Sequence, residues 1–382
     1  MNILNVNDLL DPVSGGGTAE RTVKISRALN DLSMNCTILT STKGVDSKYI
    51  SELPGIRVVT CPSLLKRYFI PLIRYKLVKL EVSRADVVHL MGHWSWLNVL
   101  VYIAAMSLGK PYVVCPAGAL PIFGRSRIVK KIYNWLIGIK IIRNADAWIA
   151  ITEEEKDQFK LYGIGEDKVT VIPNGINLGD FPEGGTEIFR KKLGINENPF
   201  ILFLGRLNMI KGPDLLLEAF CRGQSDWHEW HLVIAGPDGG LLESLKKVVD
   251  DNALDERVHF IGYIGGDEKS AAYHAADLLV IPSRQEAMSI VVLEAGISGT
   301  PVVLTDQCGF EQVEAVGGGK VCPATVDGVY TSLQNMVCGD ESLVALGKTL
   351  KNYISMNYTW HIVIQKYIEL YSNLLAHHKI DR

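Results

Sequence analysis

The stretch PSRQEAMSIVVLEAGISGTPVVLTD, from Pro282 to Asp306, indicates the fold of this chain. The apolar run 278–281 just before it predicts a strand, a helix is predicted from Ser289 to Gly299, and a second apolar run follows. Together they form one βαβ unit, and ligands of such sheets lie at the carboxyl ends of the strands. Ser289 is the predicted N-cap, so the amide groups of the first helical turn would face a bound anion.

Two carboxylates bracket this helix start. Glu286 lies in the loop, and Glu294 lies among apolar residues of the helix. A carboxylate is costly to bury without hydrogen-bond partners, and its two acceptor oxygens suit a vicinal diol. The alternative is that Glu294 only pairs with a nearby lysine or arginine. We interpret the stretch as a phosphate site at the helix start, with sugar hydroxyls at the two glutamates.

Length and composition indicate a folded protein of two domains. The chain has 382 residues, of which 47% are hydrophobic and 21% charged. Its seven cysteines include no CxxC pair, which disfavours a disulfide framework or a zinc site. Because the amino terminus does not resemble a leader and no apolar run could span a bilayer, we expect a cytoplasmic protein.

The net charge of −3 hides a basic segment. Between residues 62 and 143 there are thirteen lysines and arginines against two acidic residues. Residues 64–82 mix basic, aromatic and apolar side chains, and Arg125, Arg127, Lys130 and Lys131 follow. This pattern predicts contact with an anionic membrane or an anionic acceptor, and a solvated helix face is the alternative. Nucleic acid is disfavoured because no aromatic-interleaved platform is present.

Glycines follow the first predicted strand, residues 2–6. Gly15, Gly16 and Gly17 predict a loop whose backbone could approach a phosphate, before a helix over residues 18–34; a merely flexible connection is the alternative. The dinucleotide-binding fingerprint is incomplete, because Glu20 stands where its third glycine belongs. An NAD site is therefore disfavoured.

A second cationic loop follows the predicted strand 200–204. Arg206 could fork across phosphate oxygens, and Lys211 could act as a point charge, so the pair suits a diphosphate; two ordinary surface charges are the alternative. Turn residues at Pro173–Gly175 mark the predicted domain boundary.

Taken together, these motifs resemble the retaining glycosyltransferases of family 4, also called glycosyl transferases group 1. The resemblance lies in the spacing of Glu286 and Glu294, in the Gly-Arg…Lys-Gly loop around Arg206, and in the Pro-Asn-Gly turn. It implies an α/β protein of GT-B architecture, with two Rossmann-like doubly wound parallel-sheet domains facing each other across a deep interdomain cleft. Residues 1–173 would bind the acceptor, residues 174–360 the donor, and the helix of residues 361–382 would pack back on the first domain.

The resemblance also implies roles for individual residues. Arg206 and Lys211 would stabilise the departing diphosphate, Glu286 would hold the transferred sugar, and Glu294 the ribose. Arg206, Lys211 and Glu286 form the implied catalytic set, and the backbone near Tyr263 would receive the base. The implied donor-binding set is Gly15, Gly16, Gly17, Arg206, Lys211, Gly236, Tyr263, Ile264, Glu286, Ala287, Met288, Ser289, Ile290 and Glu294.

On the acceptor side we predict His93, Trp94, Ala117 and Arg125. Many relatives carry a histidine where this chain has Ala117, so a histidine-assisted step would need another group, such as His93. The chain contains no D-x-D motif, which usually binds the metal ion in the other major glycosyltransferase fold. We therefore expect no metal and no cofactor, with a nucleoside diphosphate sugar as co-substrate.

UDP is the favoured nucleotide and GDP the next. The expected reaction retains the anomeric configuration and builds cell-surface polysaccharide on a glycan or lipid-linked acceptor, with peripheral membrane contact through the basic segment. Two alternatives stay open: a dehydrogenase or epimerase on a doubly wound fold, and a catalytically silent protein that binds sugar nucleotides.

Overall fold

The computed structural model describes residues 1–10, 12–42, 50, 53, 55–62, 75–122, 126–195 and 197–380. They fall into two units, one formed by Met1–Asn174 with Trp360–Arg382 and the other by Gly175–Thr359. Each change of unit lies one residue from the position predicted by the sequence.

The first unit contains a sheet of seven parallel strands among its described residues. The strands are β1 (Asn2–Val6), β2 (Asn35–Ser41), β3 (Arg57–Cys61), β4 (Val87–Met91), β5 (Tyr112–Cys115), β6 (Ala147–Ala150) and β7 (Val169–Val171). Their order across the sheet is β3-β2-β1-β4-β5-β6-β7. Every residue of β4 and β5 is buried, which is why these strands read as continuous apolar runs.

Helices follow most of these strands. They are α1 (Pro12–Asp31), α2 (Tyr75–Arg84), α3 (Trp96–Leu108), α4 (Arg127–Tyr133), a π-helix (Asn134–Gly138), α5 (Ile139–Arg143), α6 (Glu155–Lys160) and a 3-10 turn (Glu166–Lys168). The basic segment predicted over residues 64–82 is described only from Tyr75 onward, where it forms α2; its earlier residues lie outside the described ranges.

Helix α1 corrects the predicted glycine loop. The helix was expected to begin at residue 18 after an open loop, but helical structure begins at Pro12 and is interrupted at Gly16, with φ 57° and ψ −149°. A positive φ favours glycine because a side chain would collide with the backbone there. The glycines therefore form a kink within a helix rather than a free loop.

The last helix of the chain, α15 (Trp360–Ile380), belongs to the first unit. Its Tyr371 hydroxyl is hydrogen-bonded to Nδ1 of His89 at 2.7 Å, and its Tyr367 hydroxyl accepts from the buried Arg21 guanidinium at 2.5 Å. Arg21 also donates to Asn174, where the chain leaves this unit. None of the described helices is long and apolar enough to cross a bilayer.

The second unit contains six parallel strands among its described residues, in the order β10-β9-β8-β11-β12-β13. They are β8 (Phe200–Leu204), β9 (His231–Ala235), β10 (Val258–Gly262), β11 (Leu278–Ile281), β12 (Val302–Thr305) and β13 (Gly319–Cys322). The helices are α7 (Thr186–Leu193), α8 (Pro213–Arg222), α9 (Leu242–Asp251), α10 (Gly266–Ala275), α11 (Ile290–Ser298), α12 (Gln312–Ala315), α13 (Val326–Cys338) and α14 (Leu343–Asn357). Strands β8 and β11 occupy the residues predicted from the sequence.

Helix α10 begins at Gly266. Asp267 and Glu268 occupy its first turn, where negative charge interacts favourably with the helix dipole.

Candidate functional site

The predicted donor-side residues of the second unit lie after β8, β9, β10 and β11, at the carboxyl edge of its sheet. Parallel strands place these loops side by side. After β8, Asn208 shapes the loop, because its Oδ1 accepts the amides of Ile210 at 3.1 Å and Lys211 at 2.9 Å. Arg206 is exposed at the start of the same loop.

The structure brings two predicted residues into contact. Lys211 Nζ lies 2.9 Å from Oε1 of Glu286, and their side chains are 34% and 10% exposed. Ser283 donates a hydrogen bond to the same carboxylate oxygen, and the Glu286 amide donates to the Gln307 carbonyl at 2.7 Å. A cation and a carboxylate are thus held at one place, with part of the lysine open to a ligand.

The two loops that carry this pair are joined by Arg284, which the sequence analysis missed. Its guanidinium donates to both carboxylate oxygens of Asp214 at 2.9 and 2.5 Å and to the Met209 carbonyl at 2.7 Å. Its amide donates to the Ile210 carbonyl at 2.7 Å. This hydrogen bonding to Asp214 raises the pKa of Arg284.

Gly212 shows how closely the loops approach. It has φ +68°, and a Cβ atom there would lie 2.1 Å from the Pro282 carbonyl oxygen. After β9, a Cβ at Gly236 would lie 1.8 Å from the Gly205 carbonyl oxygen. Only glycine permits this contact, so both positions are needed to shape the edge.

Helix α11 begins as predicted, with Ser289 in an extended conformation at the N-cap. Its side chain, however, makes no capping hydrogen bond, and Oγ is buried without a partner among the described residues. The backbone of Ser289 is fixed by a hydrogen bond, because its amide donates to the Cys308 carbonyl at 3.0 Å. An unsatisfied buried hydroxyl beside first-turn amides is suited to an anion.

Glu294 is buried, and both of its oxygens are engaged. Lys269 Nζ lies 2.6 Å from Oε1, and the Tyr273 hydroxyl donates to Oε2 at 2.6 Å. The sequence left open the alternative that Glu294 only pairs with a nearby lysine or arginine. The contact with Lys269 is such a pair. Each oxygen keeps a second lone pair, so a role toward a ribose stays a prediction.

The remaining donor-side residues differ in exposure. Tyr263, directly after β10, is 76% exposed, whereas Ile264 and Met288 are buried. The pairing of β10 with β9 shifts register between Phe260 and Gly262, directly before this tyrosine. Ala287 approaches the backbone at Gly309, where an added Cβ would lie 2.2 Å from the Ala287 carbonyl oxygen.

In the first unit, Gly15 is closely packed: an added Cβ would lie 2.9 Å from the Leu9 carbonyl oxygen. Gly16 has open space beside it, and Gly17 is exposed. Ala117, after β5, has φ 51°, a strained value for a residue with a side chain. Arg125 lies outside the described residues.

His93 is buried at the carboxyl end of β4. Its Nε2 lies 2.7 Å from Oδ1 of Asn134, and the edges of Trp94, Tyr133 and Tyr162 surround the ring. Burial lowers the pKa of His93 to about 4, so the imidazole is neutral at pH 7. Its Nδ1 has no partner among the described residues.

Asp8, just after β1, is a titratable group that the sequence analysis did not single out. Burial raises the pKa of its carboxyl to about 7, against a hydrogen bond from Ser95 that lowers it. Its Oδ1 has no partner among the described residues. The available signal was its position, since a carboxylate directly after an apolar strand lies at the ligand edge of the sheet.

Among the described residues, no group of three or more histidine, cysteine, aspartate or glutamate side chains could hold a metal ion.

Comparison with known families matches both units. The family "Glycosyltransferase Family 4" matches residues 15–180, and "Glycosyl transferases group 1" matches residues 185–328. The D-inositol 3-phosphate glycosyltransferase of Nocardia farcinica is 33% identical over 179 residues, 45% of this chain and 40% of that protein. The chain spans about 40 to 60% of the length of such curated relatives.

Solved structures show the same fold at low identity. Anabaena HepE in complex with UDP and glucose is 18% identical, with a TM-score of 0.80 over 98% of this chain and 100% of that one. Sucrose-phosphate synthase from Thermosynechococcus elongatus is 19% identical, with a TM-score of 0.79 over 99% and 100%. The predicted GT-B fold class is thereby confirmed.

Proposed function

We propose, from the premise that the chain belongs to the group 1 glycosyltransferases of family 4, that it transfers a sugar from a nucleoside diphosphate sugar to a glycan or lipid-linked acceptor. The observation that carries the proposal is the contact between Lys211 and Glu286 at the carboxyl edge of the second sheet, beside the buried hydroxyl of Ser289. The lysine suits one phosphate of such a donor, and the glutamate suits the hydroxyls of its sugar. The helix start suits the second phosphate.

The diphosphate is bound by Arg206, Lys211 and the first turn of α11. A bidentate guanidinium and an ammonium neutralise it, while the amides of the helix start and the Ser289 hydroxyl donate to its oxygens. These groups also stabilise the charge that develops as the diphosphate leaves the anomeric carbon. In this scheme Lys211 exchanges part of its contact with Glu286 for phosphate.

Glu286 accepts hydrogen bonds from hydroxyls of the transferred sugar. Ser283 orients its carboxylate, and the Gln307 carbonyl holds its backbone. Glu294 accepts from the ribose with the lone pairs that Lys269 and Tyr273 leave. The exposed Tyr263 ring offers a face for the base.

UDP is the favoured nucleotide. It is the ligand named with the similar HepE structure, and GDP is the next candidate. The proposed transfer needs no metal, because protein cations occupy the place where a metal would neutralise the diphosphate. We further propose retention of configuration, in which the acceptor attacks from the face that the leaving group vacates and the departing phosphate accepts its proton.

The acceptor is proposed to be membrane-borne, as in cell-surface polysaccharide assembly. The support is the basic segment of the first unit, with thirteen lysines and arginines between residues 62 and 143. The acceptor-side residues in this scheme are His93, Trp94, Ala117 and Arg125. Neutral His93 would act by hydrogen bonding rather than by charge.

The test begins with calorimetric titration of UDP, GDP, ADP and NAD, with manganese and after chelation. We expect binding of one nucleoside diphosphate that chelation does not weaken. Slow hydrolysis of the matching sugar nucleotide, followed by proton NMR of the anomeric signal, would report catalysis and configuration. Binding of NAD alone would favour the dehydrogenase alternative, and binding without hydrolysis or transfer would favour the silent protein.

Two variants connect the activity to the site. Lys211→Ala is expected to lose roughly 10²-fold in kcat/KM. Glu286→Gln keeps the size of the side chain but weakens its acceptor strength, so kcat should fall more than nucleotide affinity. Lys192→Ala is the control, because Lys192 also pairs with a glutamate, Glu268 at 2.6 Å, but on an exposed helix. Equal activity of Lys211→Ala and Lys192→Ala would exclude the proposed role of Lys211.

A further inference from the structure

The proposed reaction leaves one buried carboxyl of the first unit, that of Asp8, without a role. Asp8 follows β1, which pairs with β4 so that Val6 lies beside Leu90. Asp8 is two residues beyond this pair and His93 is three residues beyond it. Neighbouring strands lie about 4.8 Å apart, so the two residues are neighbours at the carboxyl edge of the sheet.

Ser95 connects Asp8 to His93. Its hydroxyl accepts the Asn98 amide at 3.1 Å, which leaves its own proton for the hydrogen bond to the Asp8 carboxyl. The Ser95 amide donates to the His93 carbonyl at 2.9 Å. The Asp8 carbonyl accepts from the Ser41 hydroxyl at 2.6 Å. Contacts from the ends of β2 and β4 therefore hold Asp8 in place.

The contacts of His93 assign the tautomer of its ring. The Tyr162 hydroxyl donates to the Leu120 carbonyl at 3.1 Å, so it accepts from Nδ2 of Asn134 at 2.7 Å. Oδ1 of Asn134 therefore faces the His93 ring and accepts from Nε2 at 2.7 Å. Because the ring is neutral at pH 7, its Nδ1 carries a lone pair and can only accept.

Two buried acceptor atoms at this edge lack partners among the described residues. They are Oδ1 of Asp8 and Nδ1 of His93. A buried acceptor is costly unless a hydrogen-bond donor reaches it. Open space adjoins them at Gly92, where an added Cβ would meet no atom within 4 Å, and Asp8 as a residue is partly exposed. The edge therefore suits a ligand that brings two donors.

We propose that Asp8 and His93 bind two neighbouring hydroxyls of the acceptor, one at Oδ1 and one at Nδ1. This inference rests on the proposed function: the two hydroxyls flank the one that reacts, whose proton passes to the departing phosphate. The site selects a sugar or cyclitol ring, because a simple alcohol has no second hydroxyl to donate. It disfavours an acceptor that presents a phosphate here, since the ionised carboxylate repels it.

The charge of Asp8 changes near neutral pH while the groups around it keep theirs. Burial raises the pKa of its carboxyl to about 7, against the Ser95 hydrogen bond that lowers it. Burial lowers the pKa of His93 to about 4 and raises the pKa of Tyr133, which also senses the Asp8 charge. Both rings are therefore neutral throughout this range. The ionised carboxylate is the stronger acceptor, so hydroxyls that bind it should lower its pKa.

The first experiment is a carbon-13 NMR titration of the full chain labelled at its aspartate carboxyls. One signal should have its midpoint near pH 7 and should be absent in Asp8→Asn. The probes are cyclohexanol and the cis cyclohexanediol whose hydroxyls are adjacent. The diol should lower the midpoint, and cyclohexanol at the same concentration should lower it less. The proposal is overturned if the diol leaves the midpoint unchanged or if the two probes act equally.

The second experiment follows transfer to the same two alcohols from the sugar nucleotide identified by calorimetry. In the original chain, kcat/KM for the diol should rise as the pH increases through 7, because the carboxylate ionises. Asp8→Asn should lower this kcat/KM roughly ten-fold and should abolish the rise, since a charged acceptor is lost. Transfer to cyclohexanol should respond less. Equal transfer to the diol by Asp8→Asn and the original chain would overturn the proposal.

Asp86→Asn is the matched control. Asp86 is a carboxylate of the same unit, but it accepts the Asn2 amide at 2.7 Å at the opposite edge of the sheet. Its replacement should leave both the rate of transfer and the pH profile as they are. A loss of the pH dependence in Asp86→Asn as well would mean that Asp8 is not its source.

Calorimetry separates failure of this inference from failure of the proposed function. Asp8→Asn should bind the nucleotide as the original chain does, because Arg206, Lys211 and Glu294 lie in the second unit. If the original chain binds no nucleoside diphosphate, the proposed function fails, and the NMR titration with the diol still tests Asp8. If donor turnover is normal and the diol leaves the Asp8 signal unchanged, only the role of Asp8 fails.

Discussion

Replacing Arg284 by alanine should impair catalysis more than it destabilises the protein. Arg284 joins the loop of Lys211 to the loop of Glu286 through its fork to Asp214 and its bond to the Met209 carbonyl. These are the loops that place the proposed catalytic pair, 2.9 Å apart. The backbone bond from residue 284 to Ile210 would remain, so the loops would loosen rather than separate.

The expected magnitudes differ for stability and activity. Side chains of Arg284 and Asp214 are 31% and 26% exposed, so solvent weakens their attraction. We expect a loss of about 1–2 kcal/mol in the free energy of unfolding. A displacement of roughly 1 Å between Lys211 and Glu286 costs about 10²-fold in rate, so kcat/KM should fall by about 10–10².

Urea unfolding measures the first quantity, and donor hydrolysis the second. Arg284→Lys should recover part of the activity, because a lysine can reach Asp214 but cannot make both bonds. Arg222→Ala is the matched control, since Arg222 pairs with Asp327 at 2.5 Å on the exposed surface. If Arg284→Ala keeps kcat/KM within two-fold of the original while Arg222→Ala behaves identically, the loops do not need this connection.

Three further predictions concern single residues. Gly212→Ala should destabilise the protein by about 2–4 kcal/mol in urea unfolding, because the new Cβ would meet the Pro282 carbonyl at a positive φ. Burial lowers the folded-state pKa of His93 to about 4, below the ordinary value of 6.5. The neutral ring therefore contributes its full stability above pH 6.5, and this contribution is lost as the pH falls toward 4. The thermal midpoint should therefore decline over that range, and less steeply in His93→Gln; identical profiles would contradict the burial argument. Glu294→Gln should weaken nucleotide binding about ten-fold in calorimetry, since Lys269 loses its charged partner and the ribose a strong acceptor; unchanged affinity would leave Glu294 a purely structural residue.

Local patterns predicted much of the second unit. Strands β8 and β11 match their predicted residues because buried parallel strands are apolar on both faces and are bounded by loop residues. The helix after Ser289 was found from its N-cap and from Gly299, whose φ of +84° ends it. These signals lie within a few residues of one another in the chain.

Predictions were weaker where a conformation or contact depended on distant residues. The glycines at 15–17 predict a loop by composition, but all three lie within an interrupted helix, in which Gly15 packs closely against Leu9. Arg284 was missed because its partner Asp214 is 70 residues away. Asp8 was missed because its raised pKa results from burial. Its position after β1 indicates the ligand edge of the sheet but does not show whether the carboxyl group is buried.

The sequence by itself determined the buried strands and the residue types of the donor site, because these follow from apolar periodicity and from short spacings such as Glu286 to Glu294, and its resemblance to the family implied the fold class. The tertiary structure decided which groups meet. It placed Lys211 against Glu286, engaged both oxygens of Glu294, buried His93 as a neutral ring and left Trp135 exposed. The physical reason is that exposure, pKa and ion pairing depend on neighbours brought together by the sheet, and those neighbours are remote in the chain.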